Sequence, residues 1–138
     1  MTISNPTIEK FLKQVQVAVL STVDGKGHPH AAPMWCLYEN GEFLMVTGPG
    51  SQKYKNMKNN NEVVLVFDRR DPPYYAVMAH GVARLEITPC QDARRKIATA
   101  YLGKEGANRY FANSRSGDLA VIKVIPKRFI EYHGISGN

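Results

Sequence analysis

From Val15 to Thr47 the chain offers three stretches rich in apolar and β-branched residues, separated only by tight-turn sequences. Val15 to Val23 ends at Asp24-Gly25-Lys26-Gly27. His28 to Tyr38 follows, and Glu39-Asn40-Gly41 leads directly into Glu42 to Thr47. Asn-Gly accepts the positive φ that a two-residue hairpin requires. Such short connections exclude the strand–helix alternation of a parallel sheet, so this part of the chain is expected to fold as an antiparallel meander.

The flanking sequence extends the pattern. Asn5-Pro6-Thr7 opens a short helix, with Asn5 as its cap, Pro6 in its first turn and Ile8, Phe11 and Leu12 as its apolar stripe. Gly48-Pro49-Gly50 breaks the third strand, and Ser51 caps a helix that runs to Asn59 or Asn60. Glu62 to Asp68 predicts a fourth strand, Arg69-Arg70-Asp71-Pro72-Pro73 a rigid loop, and Tyr74 to Ile87 a long strand with a bend or bulge at Gly81. Helical sequence starts at Thr88-Pro89 and runs to about Leu102. Gly103 and Gly106 break it before a second helix over Ala107 to Asn113. Leu119 to Ile125 and Arg128 to His133 predict final strands on either side of Pro126. Six or seven strands in consecutive hairpins, with about four short helices, predict a mainly β architecture: an antiparallel barrel whose gaps the helices plug.

The 138 residues are enough for a single domain over 1–138 with a core of its own. Met1 to Lys13 is polar and does not resemble a signal peptide. No apolar run approaches the ~20 residues of a membrane span. Cys36 and Cys90 form no spaced pair, so a soluble cytoplasmic protein with free thiols is expected. The net charge of +6 suits an anionic partner, whether nucleic acid, a phosphorylated cofactor or an acidic substrate. No strand interleaves aromatic with basic residues, so nucleic acid is not the expected partner.

The positive charge is most suggestive in "TGPGSQKYKNMKNNNEVVLVF", Thr47 to Phe67. A helix N-terminus carries unpaired amides and about half a positive charge, and small residues before it let an anion approach. Lysine adds a mobile point charge. Residues of a helix turn by ~100° each, so Lys53 and Lys55 point to nearly opposite sides. Lys53, with Asn56 one turn on, is the expected phosphate ligand; Lys55 would reach a second negative group on a longer ligand. The alternative is a solvated lysine- and asparagine-rich helix face, since the stretch lacks the spacing of a nucleotide-triphosphate loop.

Other residues are expected to play smaller parts. His28 and His30 share a strand face, but no acidic or cysteine cluster completes a metal site. Cys36 is expected in the packing opposite Trp35. Cys90, beside Pro89 at a helix start, could have a lowered thiol pKa. Arg94-Arg95-Lys96 is read as a solvated helix face, His133 as exposed, and His80 as a polar strand position or a contact to a second subunit.

The segments "GSQKYKNMKNNN", "PPYYAVMAHGVARL" and "DGKGHPHAAPMW" together resemble the pyridoxamine-phosphate-oxidase-like family of split β-barrels, and within it the branch that uses the deazaflavin coenzyme F-420. The similarity spans about Val17 to Ile130. It implies a homodimer with a flavin-type cofactor, F-420 or FMN, across the barrel surface at the subunit interface. The strand holding Ala32, Pro33, Met34 and Trp35 would run beside the ring system, with Trp35 partly core. Val46, Thr47 and Gly48 would border the ribityl chain, and Ser51 and Lys53 would meet the phosphate. A second subunit would contribute from Tyr74 to Arg84, Tyr75 included. Family members often carry arginine just before the matching lysine, where this chain has Ser51-Gln52; either the phosphate is held more weakly or Lys55 compensates. The oligoglutamate tail of F-420 would follow Lys53 and Lys55 beside Arg69 and Arg70. The implied activity is hydride transfer between F-420 and a small organic substrate, with Tyr74, Tyr75 or water as proton donor. FMN on the same site, or a non-catalytic carrier, are the alternatives. The sequence ends at "RFIEYHGISGN" without the basic C-terminal segment of true pyridoxamine-phosphate oxidases, so that particular activity is not expected.

Overall fold

A computed structural model describes residues 5–89, 91–113 and 117–134. Six antiparallel strands close a barrel in the order β1-β2-β3-β6-β5-β4. They are β1 (Gln16–Val23), β2 (Pro29–Glu39), β3 (Glu42–Thr47), β4 (Glu62–Arg69), β5 (Tyr75–Thr88) and β6 (Leu119–His133). Three helices accompany them: α1 (Pro6–Leu12), α2 (Gln52–Asn59) and α3 (Asp92–Ala112).

Side chains alternate across each strand, and the inward set forms the core. Ala18 and Leu20 of β1, Val63, Leu65 and Phe67 of β4, Val77 and Ala79 of β5, and Ile122 and Val124 of β6 are buried together. Phe43 and Phe67 stack at 5.3 Å between centroids inside the barrel. The Asn5 carboxamide caps α1, accepting from the amides of Thr7 and Ile8 at 2.9 and 3.2 Å, so that Ile8, Phe11 and Leu12 can enter the core. Met57 of α2 enters the same core. α3 instead lies outside, where Ile97 packs with Leu44 and Val121, and Trp35, Leu37, Ala93 and Tyr101 join the cluster.

The structure corrects one expectation about elements and bears out another. The two strands predicted around Pro126 are one, β6. Its pairing with β5 shifts register at His80/Gly81: His80 faces Arg128 and Gly81 faces Pro126, which leaves Lys127 as an extra residue. A proline supplies no ladder N–H, and a bulge is one of the places where a strand accepts it. The predicted break at Gly103 is present within one element, since Gly103 has φ 76° and ψ 169° inside α3. A straight helix would hold Arg94 and Tyr110 about 24 Å apart. The Arg94 guanidinium instead lies 4.9 Å from the centre of the Tyr110 ring, so α3 is a helical hairpin folded at Gly103.

One edge of the barrel is incompletely paired. β2 pairs with β1 from Pro29 to Cys36, but with β3 only from Leu37 to Glu39. Before Leu37, β2 and β3 part, and this opening is the split in the barrel.

Candidate functional site

The start of α2 is a capped turn directly after β3. Gly48 C=O accepts from the Ser51 amide at 3.1 Å and closes the turn that ends β3. Ser51 Oγ then caps α2, accepting from the Tyr54 amide at 3.3 Å, and Thr47 Oγ1 donates to the same oxygen at 3.1 Å. A hydroxyl has one proton and two lone pairs, so this arrangement leaves the Ser51 proton to donate. The amides of Gln52 and Lys53 are orphan donors of the first turn. Tyr54, Asn56 and Met57 form the buried face of α2. At ~100° per residue Lys53 flanks that face and Lys55 lies opposite it, which is why Lys53 is half-buried and Lys55 exposed.

Asn56 has a different role from the expected one. It is 2% exposed. Its Nδ2 donates to Thr22 Oγ1 at 3.0 Å, and its Oδ1 accepts from Gln52 Nε2 at 2.7 Å. A buried carboxamide spent this way pins α2 to β1 and is not available to a ligand.

The end of β3 borders a cavity of about 360 Å³ lined by Val46, Thr47, Gly48, Arg94, Tyr110 and Leu119, among others. Arg94 of α3 helps to shape its wall. Arg94 stacks on Tyr110 and Phe111 at 4.9 Å each, and Arg95 on Phe111 at 4.4 Å. Lys96 pairs with Glu39 at 2.7 Å. Arg95 and Lys96 are exposed, as a solvated face predicts, while Arg94 is half-buried against the aromatic rings. Sequence reasoning assigned no role to Tyr101 or Tyr110, although Ala93, Ile97 and Tyr101 recur at the helical i, i+4 spacing of a packed stripe.

The open edge of β2 lies on the other side of the split. Tyr101 Oη accepts from the Cys36 amide at 2.8 Å and is bonded to the carbonyls of Cys36, at 2.7 Å, and Gln16. The peptide groups of Cys36 thus face β1. Successive residues of a strand direct these groups to opposite sides, so those of Trp35 and Pro33 face the opening. Pro33 has no N–H to leave unpaired there, which suits an edge. The Met34 side chain is turned toward the core. The Trp35 indole is occupied by α3: it stacks on Tyr101 at 5.0 Å and 13°, and Tyr110 lies 5.8 Å away.

Tyr75 also departs from expectation. It points into the α1 end of the barrel, 9% exposed, and donates to Glu131 Oε2 at 2.7 Å. Burial, reinforced by Glu131, pushes its phenol well above the ordinary range. Tyr74 is the exposed one of the pair, at 44%. Arg69 and Arg70 do not extend the lysine face of α2. α2 leads into Glu62, and Arg69 stands at the other end of β4, about 23 Å away at ordinary strand rise.

His28 and His30 both turn to Asp24. Asp24 Oδ2 lies 2.9 Å from His30 Nε2 and 3.6 Å from His28 Nδ1, while Oδ1 accepts from the amides of Lys26 and His28 at 2.9 Å each. The bond to His30, then that to the His28 amide, lowers the Asp24 carboxyl from 3.8 to about 2. A depressed carboxyl stabilises the fold above its unfolded value and loses that contribution as pH falls through the folded one. Between pH 4 and 2 the denaturation midpoint should therefore fall, and Asp24→Asn should flatten that part of the curve. An unchanged slope in the variant would remove Asp24 from the account. Cys36 is buried in the core, and burial pushes its thiol up to about 12, so it is unreactive packing. Cys90 lies outside the described residues.

A closed antiparallel barrel, split between β2 and β3 and bearing a capped helix at the end of β3, is a split β-barrel. A family model for pyridoxamine 5'-phosphate oxidase matches residues 4–133, and the chain belongs to that family. No protein of curated function matches the chain. Among solved structures it is similar to an F-420 reductase at 22% identity, covering 94% of this chain and 98% of the other with a TM-score of 0.74. A candidate pyridoxamine 5'-phosphate oxidase from Listeria innocua is 24% identical over 91% of this chain and 94% of its own, with a TM-score of 0.71. The heme storage protein HutZ from Vibrio cholerae is 14% identical over 98% and 99%, with a TM-score of 0.70. Identities this low speak for the shared fold. Among the described residues, no helix is long and apolar enough to cross a membrane.

Proposed function

We propose that this chain is a cytoplasmic, homodimeric oxidoreductase that binds coenzyme F-420 and transfers a hydride between it and a small organic molecule. The observation that carries this reading is the Ser51-capped start of α2 beside the end of β3, with Lys53 on its half-buried flank. Lys53, the orphan amides of Gln52 and Lys53 and the Ser51 hydroxyl would hold the phosphate diester. Val46, Thr47 and Gly48 would border the ribityl chain. The peptide groups of Pro33 and Trp35 at the split would meet the polar edge of the ring. Lys55, on the solvent side, would attract the acidic tail. The bound cofactor supplies the hydride chemistry, while the protein provides position and electrostatics. Support for a dimer comes from β6, where Ile130 is 37% and Tyr132 53% exposed on the same outer side of the strand. Such a pair would suit the apolar part of a subunit interface.

FMN on the same site is the second reading, because the α2 start would meet a phosphate that both cofactors carry. A non-catalytic carrier is the third, favoured by the likeness in fold to a storage protein. Calorimetry on the cofactor-free protein with F-420 and FMN, at low and high salt, separates them. Lys53→Ala should weaken binding of the preferred cofactor about 10- to 100-fold, the equivalent of one charge-assisted contact of about 1.5–3 kcal/mol. Lys55→Ala should weaken F-420 alone, and only at low salt. Unchanged affinity in Lys53→Ala would sink the site. Turnover with a panel of reducible acceptors then distinguishes enzyme from carrier.

A further inference from the structure

The α1 end of the barrel carries a second concavity, unrelated to the start of α2. It has a volume of about 610 Å³, and its lining includes Lys10, Phe11, Arg69, Pro73, Tyr74 and Tyr75. That volume lies within the range of small-molecule sites.

Its walls are fixed in advance. The Tyr75 ring meets Phe11 edge-on at 4.8 Å, and its hydroxyl is tied to Glu131. The Tyr74 carbonyl accepts from the Gly134 amide at 2.9 Å. A Cβ on Gly134 would come within 2.5 Å of Tyr74 Cβ, so only glycine permits this approach. Glu131 is already engaged, since it accepts from the Tyr75 hydroxyl and lies 3.8 Å from His133. Among the described residues no carboxylate lies within ion-pair distance of Lys10 or Arg69, whereas neighbouring Lys13 pairs with Glu9 and Arg70 with Asp68. The guanidinium of Arg69 lies near enough to act on the Tyr75 phenol.

Aromatic and prolyl walls select a flat apolar body. Two cations at the rim select a negative group, and arginine's fork matches a carboxylate. We propose that this pocket binds an aromatic carboxylate, with the ring between Tyr74 and Phe11 and the carboxylate between Lys10 and Arg69. The proposal does not depend on the redox reading, because β4 separates the two sites.

The test is a titration of the purified full chain with naphthoate, followed by amide NMR and calorimetry, with the neutral naphthamide as control. Saturable shifts should cluster at Lys10, Arg69 and Tyr74. Naphthamide should bind at least about tenfold more weakly. Lys10→Gln and Arg69→Gln should each weaken naphthoate about three- to tenfold, the scale of a charged contact discounted for exposure. Both side chains are exposed, so these variants should fold. Lys53→Ala should leave naphthoate binding unchanged. Equal binding of the amide, absence of saturation, or shifts centred on α2 would overturn the proposal.

Discussion

Gly81→Val should lower stability by at least ~3 kcal/mol, the upper end of what overpacking costs. A Cβ at position 81 would lie 2.5 Å from the carbonyl oxygen of Ile125 and 2.8 Å from Val124 Cγ1. The oxygen belongs to the backbone of β6 and cannot rotate away. Movement would have to come from the bulge that sets Gly81 against Pro126 and skips Lys127. That bulge lets two long strands bend around a closed barrel, so the strain would reach the β5–β6 pairing on both sides of it. Urea denaturation at fixed pH measures the effect, and Gly81→Ala should show a smaller loss of the same sign. A valine variant within ~0.5 kcal/mol of the parent would show that the ladder yields at this point, and the bulge would lose its structural role.

Tyr101→Phe is the second large effect. The substitution keeps the ring that stacks on Trp35 and removes only a hydroxyl. That hydroxyl sits between Gln16 and Cys36, the first paired residues of β1 and β2, and serves one amide and two carbonyls. Each buried polar group left without a partner costs about 1–3 kcal/mol. A loss of about 2–4 kcal/mol is therefore expected, with much faster hydrogen exchange at the Cys36 amide. If the strands close directly on one another instead, Cys36 N–H will find Gln16 C=O and the loss will fall below ~1 kcal/mol. Retained protection at Cys36 would identify that outcome and show that Tyr101 is not the link between α3 and the barrel wall.

Both residues lie where reading along the chain is weakest. Gly81 is visible in the sequence as an interruption of a strand, and a bulge is one expected consequence. Its partner Pro126 reads instead as a strand terminator, because the missing N–H is a local fact while its tolerance depends on the strand opposite. Tyr101 is one aromatic of a helical stripe. That its hydroxyl reaches two strands depends on how α3 lies across them. Asn56 shows the same limit. Its place one turn from Lys53 is correct, yet a neighbour on a helix surface serves a ligand or the core according to which way the helix rolls, and Thr22 decides that. Arg69 and Arg70 join Lys53 and Lys55 only in a count of charges; the length of β4 keeps them apart.

Order along the chain, the hairpins, the Asn5 and Ser51 caps, the break at Gly103 and the lysine-bearing helix start were all legible from the residues, because each rests on interactions within a few positions. Closure of the barrel decided which strand edge stays open at Pro33 and Trp35, which face of α2 is buried, and which barrel end receives Tyr75 and Arg69. Those outcomes depend on pairings between distant segments, and the same local sequence is compatible with more than one of them.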